Sequence, residues 1–232
     1  MKIVPKFKRF LLLLSISLLL TSYFMFANNV SANNNEQKMN MENAAKEIKL
    51  PEPNKTGGMP LMEALSNRKS SREFSTSKEL SEQQLSDLLW AMWGVNRADN
   101  RRTAPSARNS QAMELFVVKS EGVYKYNAKN NSLELVKAGD HRNIVGMQDF
   151  AKKALLNILL IANTDLLAGK DGIESLLTLN VDAGFISQNA YLYCASEGLN
   201  CVARLNIDKE EIEKVLELEK NMYPVIALTI GY

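Results

Sequence analysis

Ala154-Leu155-Leu156-Asn157-Ile158-Leu159-Leu160-Ile161-Ala162 is apolar at odd and even positions alike, with Lys152-Lys153 before it and Asn163 after it. Strand side chains alternate between faces, so only a strand covered on both sides needs both sets apolar. The segment therefore reads as a central strand. A helix over Gln148–Lys153 precedes it, with its lysines kept in water while the apolar side packs on the sheet.

Upstream, the runs Leu115–Lys119, Val123–Tyr126 and Leu133–Lys137 read as strands joined at Glu121-Gly122 and Asn130-Asn131. Downstream, Cys201–Leu205 and Pro224–Ile230 read the same way. Four helices are expected between or before them. Met62–Arg68 is short, and a stronger helix starts at Ser81, where Gln84 takes the reciprocal capping-box position and Leu85, Leu88, Leu89 and Met92 make the inward stripe as far as Gly94. Trp90 and Trp93 widen that stripe as packing anchors or as one wall of a ligand cleft. The longest helix runs from near Gly172 to Gly198 and carries too many apolar residues for one narrow face, Phe185, Ile186, Leu192 and Cys194 among them, so a second packing surface and dimerisation are expected. Asp208 caps a last helix, with Glu211 at the box position. Helices and strands mix without a regular βαβ alternation, which makes the class α+β.

The chain has 232 residues, enough for one full-sized domain. Lys2, Lys6, Lys8 and Arg9 precede an apolar run from Phe10 to Leu20 that continues less purely to Ala27, and Val30-Ser31-Ala32 offers a small-residue cleavage site. Residues 1–32 thus read as a signal peptide of an exported, periplasmic protein, or as a membrane anchor if uncleaved. Residues 33–59, rich in Asn, Glu and Lys and then punctuated by Pro51, Pro53 and Gly57-Gly58, read as a flexible tether, with the domain spanning 60–232. Of 28 basic residues against 26 acidic ones, four bases lie in the leader, so the rest is slightly negative and gives no reason to expect a nucleic-acid partner. Cys194 and Cys201 are the only cysteines; with His141 as the sole histidine they build no metal site, and they read as small buried side chains.

Two stretches carry chemistry. In Asn67–Phe74, NRKSSREF, Arg68, Lys69 and Arg72 interleave with Ser70 and Ser71 at a helix-to-turn junction, a pattern suited to a phosphate or to a solvated basic turn. In Pro105–Gln111, PSARNSQ, Asn109 and Gln111 offer donors and acceptors for the edge of an amide-rich heterocycle, or form an ordinary polar loop. His141, in a loop, reads as solvent-facing rather than as a proton donor, and Tyr124 and Tyr126 read as strand packing residues.

RKSSREF, LSEQQLSDLLWAMWGVNR, PSARNSQ, GVYKYN, GMQDF and DAGFISQNAYLYCASEGLNCVARL, in that order, resemble the FMN-dependent nitroreductase superfamily, especially the branch related to thiazoline and oxazoline oxidases. The resemblance runs from about Pro60 to Tyr232. It implies an α+β nitroreductase-like fold with a central mixed or antiparallel sheet surrounded by helices. It further implies a homodimer with FMN at the subunit interface and the long helix contributing to that interface. By similarity, Arg68, Lys69, Ser70 and Arg72 grip the FMN; Pro105, Ser106, Asn109 and Gln111 form the loop beside the flavin; and Gly198, Leu199, Asn200 and Cys201 pass close to the ring. The implied chemistry is ping-pong hydride transfer, with NADH or NADPH as donor and a small electron-poor organic substrate as acceptor, and with no side chain acting as nucleophile. Many relatives continue past the last strand with a basic pair at the phosphate, where this sequence ends at Gly231-Tyr232; Arg204 reads either as a replacement for part of that charge or as a surface arginine. Export raises the question of electron supply: an envelope redox partner, a substrate that itself reduces the flavin, or a non-catalytic flavin or small-molecule binding role are the alternatives.

Overall fold

The structure, a computed structural model, describes residues 47–167 and 173–232. Its strands are β1 (Glu47–Lys49), β2 (Met113–Val118), β3 (Gly122–Asn127), β4 (Ser132–Ala138), β5 (Leu156–Asn163), β6 (Asn200–Arg204) and β7 (Met222–Gly231). Its helices are α1 (Leu61–Asn67), α2 (Glu82–Trp93), α3 (Asp149–Lys153), α4 (Ile173–Glu197) and α5 (Lys209–Val215). One sheet holds all the strands in the order β1-β4-β3-β2-β5-β7-β6, and every pairing is antiparallel. This is the α+β nitroreductase-like fold, with the antiparallel form of the sheet.

The apolar run does become an interior strand, between β2 and β7. Ile158, Leu160 and Ala162 face the core under α2 and α4, whereas Leu159 and Ile161 face a second core with Ile144, Val145 and Ile212. Both faces being covered explains why the sequence shows no alternation there. On β7 the pairing with β5 slips between Leu160 and Ile161, next to Pro224. An irregularity there lets a residue with no N–H stand inside a paired strand.

Helix α2 starts as its sequence requires: the Ser81 side chain accepts from the Gln84 amide and the Gln84 side chain accepts from the Ser81 amide. Asp208 likewise caps α5 by accepting from the Glu211 amide. Helix α4 is apolar on two faces. Leu179, Ala183, Ile186, Ala190 and Cys194 point into the core, while Leu177, Val181 and Phe185 remain 60%, 56% and 45% exposed along another face.

The start of the folded unit corrects the sequence reading, which placed it near Pro60 after a tether over 33–59. The unit begins at Glu47. Glu47, Ile48 and Lys49 pair with Glu134, Leu133 and Ser132, Leu50 is buried, and the Pro51 carbonyl accepts from Ser86 and Asn131. An edge strand is bound through backbone groups, and all three of its side chains are exposed, so composition carries no trace of it. The leader expected at 1–32 and the part of the tether at 33–46 lie outside the described residues. Among the described residues no helix is long and apolar enough to cross a membrane.

Candidate functional site

Where α4 ends, Gly198 takes a left-handed conformation (φ 67°), which lets the Leu199 amide turn back to the Cys194 carbonyl at 2.8 Å before β6 begins. This turn is one wall of a cleft of about 510 Å³. The lining also includes Ser66, Asn67, Arg68 and Lys69 at the end of α1, Tyr191, Cys194 and Ala195 of α4, and Asn200 and Cys201 of β6. Two separate predicted stretches, the basic motif and the glycine-leucine segment, therefore meet in one cavity.

Tyr191 ties the two together. Its hydroxyl lies 2.9 Å from Ser70 Oγ and accepts from the Ala203 amide at 2.8 Å, and the Arg68 guanidinium sits 5.5 Å from its ring centroid. The Ser71 amide donates to the Cys201 carbonyl at 3.0 Å. The basic turn is thereby stitched to both α4 and β6, while Lys69 stays exposed and Arg68 half-buried at the rim. Arg72 is exposed and does not line the cleft. Helical phase was the sole sequence signal for Tyr191: residues 191, 194, 195 and 198 share one side of α4.

Cys194 and Cys201 are buried, free thiols. Adjacent Cys201 together with burial holds the Cys194 thiol well above its ordinary range, which makes it a poor nucleophile.

Pro105, Ser106, Asn109 and Gln111 form a separate structure. Arg108, Asn109 and Gln111 all have positive φ, at 54°, 55° and 49°. Three left-handed non-glycine residues so close together mark a segment held by its surroundings. What holds it is visible: the Gln111 amide donates to Ser106 Oγ at 3.1 Å, Arg102 Nε donates to Gln111 Oε1 at 2.8 Å, and Gln111 Nε2 donates to Asn109 Oδ1 at 3.2 Å. The Ala107 amide is 3.2 Å from both carboxylate oxygens of Asp182, a residue only 2% exposed. Burial keeps that carboxyl above the usual range against the pull of the amide. Sequence reasoning passed over Asp182, since a lone acid in an apolar helix shows no motif. The loop thus leans on α4 at Asp182, nine residues and about 13 Å along the helix from Tyr191. The loop does not line the cleft.

Other candidates fall away from the cleft. Arg204 is 5% exposed, donating to Val145 O at 2.8 Å, Thr229 Oγ1 at 2.8 Å and Asn157 Oδ1 at 3.2 Å, with its pKa pulled down to about 10 by burial. Its charge is spent on neutral acceptors, so it does not replace a phosphate-binding basic pair. His141 places Nε2 3.0 Å from the Ala138 carbonyl, outside the cleft. Trp93 is buried in the core, whereas Trp90 walls a second cleft of about 360 Å³ together with Met59, Asp87, Tyr193 and Ser196. That cleft contains no predicted cofactor-binding residue.

Comparison with known proteins agrees with this architecture. The nitroreductase family profile matches residues 65–232. MJ1384 of Methanocaldococcus jannaschii, which carries the name nitroreductase by assignment, is 28% identical over 195 residues, covering 80% of this chain and 96% of its own. A crystal structure from Ralstonia eutropha JMP134, named in the same way, superposes with a TM-score of 0.76 at 38% identity, covering 80% of this chain and 89% of that one. The Escherichia coli microcin synthetase McbBCD complex shares the fold alone, with a TM-score of 0.61 at 16% identity. With the profile spanning most of its length, this chain belongs to the nitroreductase family of oxidoreductases.

Proposed function

We propose that this protein is an FMN-dependent oxidoreductase that works as a homodimer and reduces a small electron-poor organic substrate in two half-reactions. The observation that carries the reading is the convergence of Arg68 and Lys69 with Gly198–Cys201 in one cleft, fastened by Tyr191. Two cations beside a hydroxyl-rich turn fit a phosphate monoester, which carries close to two negative charges at neutral pH. A cleft of about 510 Å³ is within the size range of cofactor sites.

When bound, FMN supplies the ring that accepts and returns hydride. The chain's own residues have other tasks. Arg68 and Lys69 neutralise the phosphate, and Ser70, positioned by Tyr191, offers a hydroxyl beside them. Backbone at Gly198 and Leu199 allows close approach because Gly198 has no side chain and Leu199 is buried in the core. Holding donor and acceptor in one orientation is the whole catalytic contribution required, which fits a site without a nucleophile and base in hydrogen-bonding contact.

Dimerisation completes the proposal. Leu177, Val181 and Phe185 form an exposed apolar row on α4, beside Gly184, whose position has open space around it. Such a row favours helix-on-helix contact with a second copy. In that arrangement the loop at Pro105–Gln111 of one protomer serves the cleft of its partner, which supplies Asn109 and Gln111 to the ring edge. The leader pattern at 1–32 supports an exported enzyme. It also favours one alternative, an oxidase of the thiazoline or oxazoline type in which the substrate reduces the flavin, because soluble nicotinamide is a cytoplasmic supply.

Titration of the purified protein with FMN, followed by flavin fluorescence, tests the core of this reading. Saturable binding is expected, weakened about tenfold or more in Arg68→Ala, since a charge-assisted hydrogen bond contributes about 1.5–3 kcal/mol. Absence of binding by folded wild type overturns it. Anaerobic mixing with NADH, NADPH and candidate reduced substrates then separates the two enzyme readings: bleaching by a nicotinamide supports the reductase, and bleaching by substrate alone supports the oxidase.

A further inference from the structure

We infer that Asp182 is the positioning residue that sets the Pro105–Gln111 loop from the helix expected to form the dimer interface. The inference rests on the function proposed above for its link to FMN, but its physical basis is independent of any cofactor. Asp182 is buried within α4, one residue from exposed Val181 and three from exposed Phe185. Both its carboxylate oxygens lie 3.2 Å from the Ala107 amide, at the entrance to the segment in which Arg108, Asn109 and Gln111 hold left-handed backbone. Such conformations persist only where the surroundings over-determine them.

Within the loop and its approach, Ser106 Oγ accepts from the Gln111 amide and Arg102 Nε donates to the Gln111 side chain. Asp182 belongs to α4, so its bond to the Ala107 amide ties the loop's position to that helix. Loss of its anchor frees the backbone that aims Asn109 and Gln111, while the helix, whose hydrogen bonds are its own, stays formed. A site that takes its loop from one protomer and its basic turn from another then draws on this carboxylate to hold the loop in register with the interface.

Asp182→Ala and Asp182→Asn separate this role from bulk stability. In Asp182→Ala the amides of Ala107–Gln111 are expected to exchange with solvent at least about tenfold faster, and the FMN Kd to rise about tenfold or more, with helicity and oligomeric state unchanged. Asp182→Asn keeps an oxygen acceptor for Ala107 and is expected to restore both readouts to within a few fold of wild type. Wild-type exchange in Asp182→Ala, or an Asp182→Asn as loose as the alanine variant, overturns the inference. If wild-type protein binds no FMN, the function proposed above fails, and the exchange rates still decide the role of Asp182. Should Asp182→Ala not fold, exchange in Asp182→Asn decides it, since a loop loosened tenfold despite the retained acceptor refutes the assignment.

Discussion

Arg204 shows what a buried charge costs when its partners are neutral. Its guanidinium reaches the Val145 carbonyl, Asn157 and Thr229, and lies 5.7 Å from the Phe150 ring centroid, with Nε unpartnered among the described residues. The approach depends on Gly146, because a Cβ there would fall 2.1 Å from Arg204 Nη1. Arg204→Ala is expected to destabilise the fold by about 2–5 kcal/mol, as large-to-small core truncations do, without a matching loss of FMN affinity. Urea denaturation beside an FMN titration checks this, and a variant that stays stable but loses FMN would return Arg204 to the phosphate. Asp182 gives a pH signature of definite sign. Its carboxyl titrates above the ordinary range in the fold, so its contribution to stability is full at low pH and is lost as pH rises through the folded value. Asp182→Asn should therefore melt higher than wild type at pH 7, with the difference closing toward roughly pH 4. Thermal melts at both pH values read it, and equal differences at the two refute the sign.

Helix α2 was the most legible element, because its start signal is local: Ser81 and Gln84 satisfy each other's backbone amides three residues apart. Ser81→Ala should cost about 1 kcal/mol, read as a fall in Tm of about 2–4 °C for a domain of this size. An unchanged Tm would mean that tertiary packing alone holds the helix end. Strands β2 to β4 were legible for a similar reason, with turn residues at Glu121-Gly122 and Asn130-Asn131 between short apolar runs. By contrast β1 was illegible. Its three side chains are all exposed, and what makes it a strand is the free backbone edge of β4, more than eighty residues later in the chain.

Across the whole molecule, α4 carries two apolar faces, and under the proposed function the outer one joins two copies. Its inner residues close the core under the sheet, and its outer row of Leu177, Val181 and Phe185 exposes apolar surface that a monomer gains nothing by keeping. Phe185→Glu is expected to shift a dimer toward monomer at micromolar concentration while leaving helicity intact, and to weaken FMN binding along with it. Light scattering combined with flavin titration tests the linkage. A dimer unaffected by Phe185→Glu places the interface elsewhere, and a monomeric wild type that binds FMN tightly removes the interfacial placement of the cleft.

Fold class, the locations of the helices and of every described strand but β1, and the two candidate stretches were legible in the sequence itself. Each is written in short-range patterns: an apolar run without alternation at 154–162, a capping box at 81–84, basic and hydroxyl residues packed into 68–72. Tertiary structure decided which of these meet. It brought Arg68 and Lys69 to Gly198–Cys201 through Tyr191, set the Pro105–Gln111 loop against Asp182 about two and a half turns of α4 away, and buried Arg204 among neutral acceptors. Those outcomes depend on helical phase and on which strands lie side by side, quantities that join residues far apart in the chain. A local pattern reports how a segment satisfies its own backbone and apolar surface; it holds no information on the distant partner that completes it.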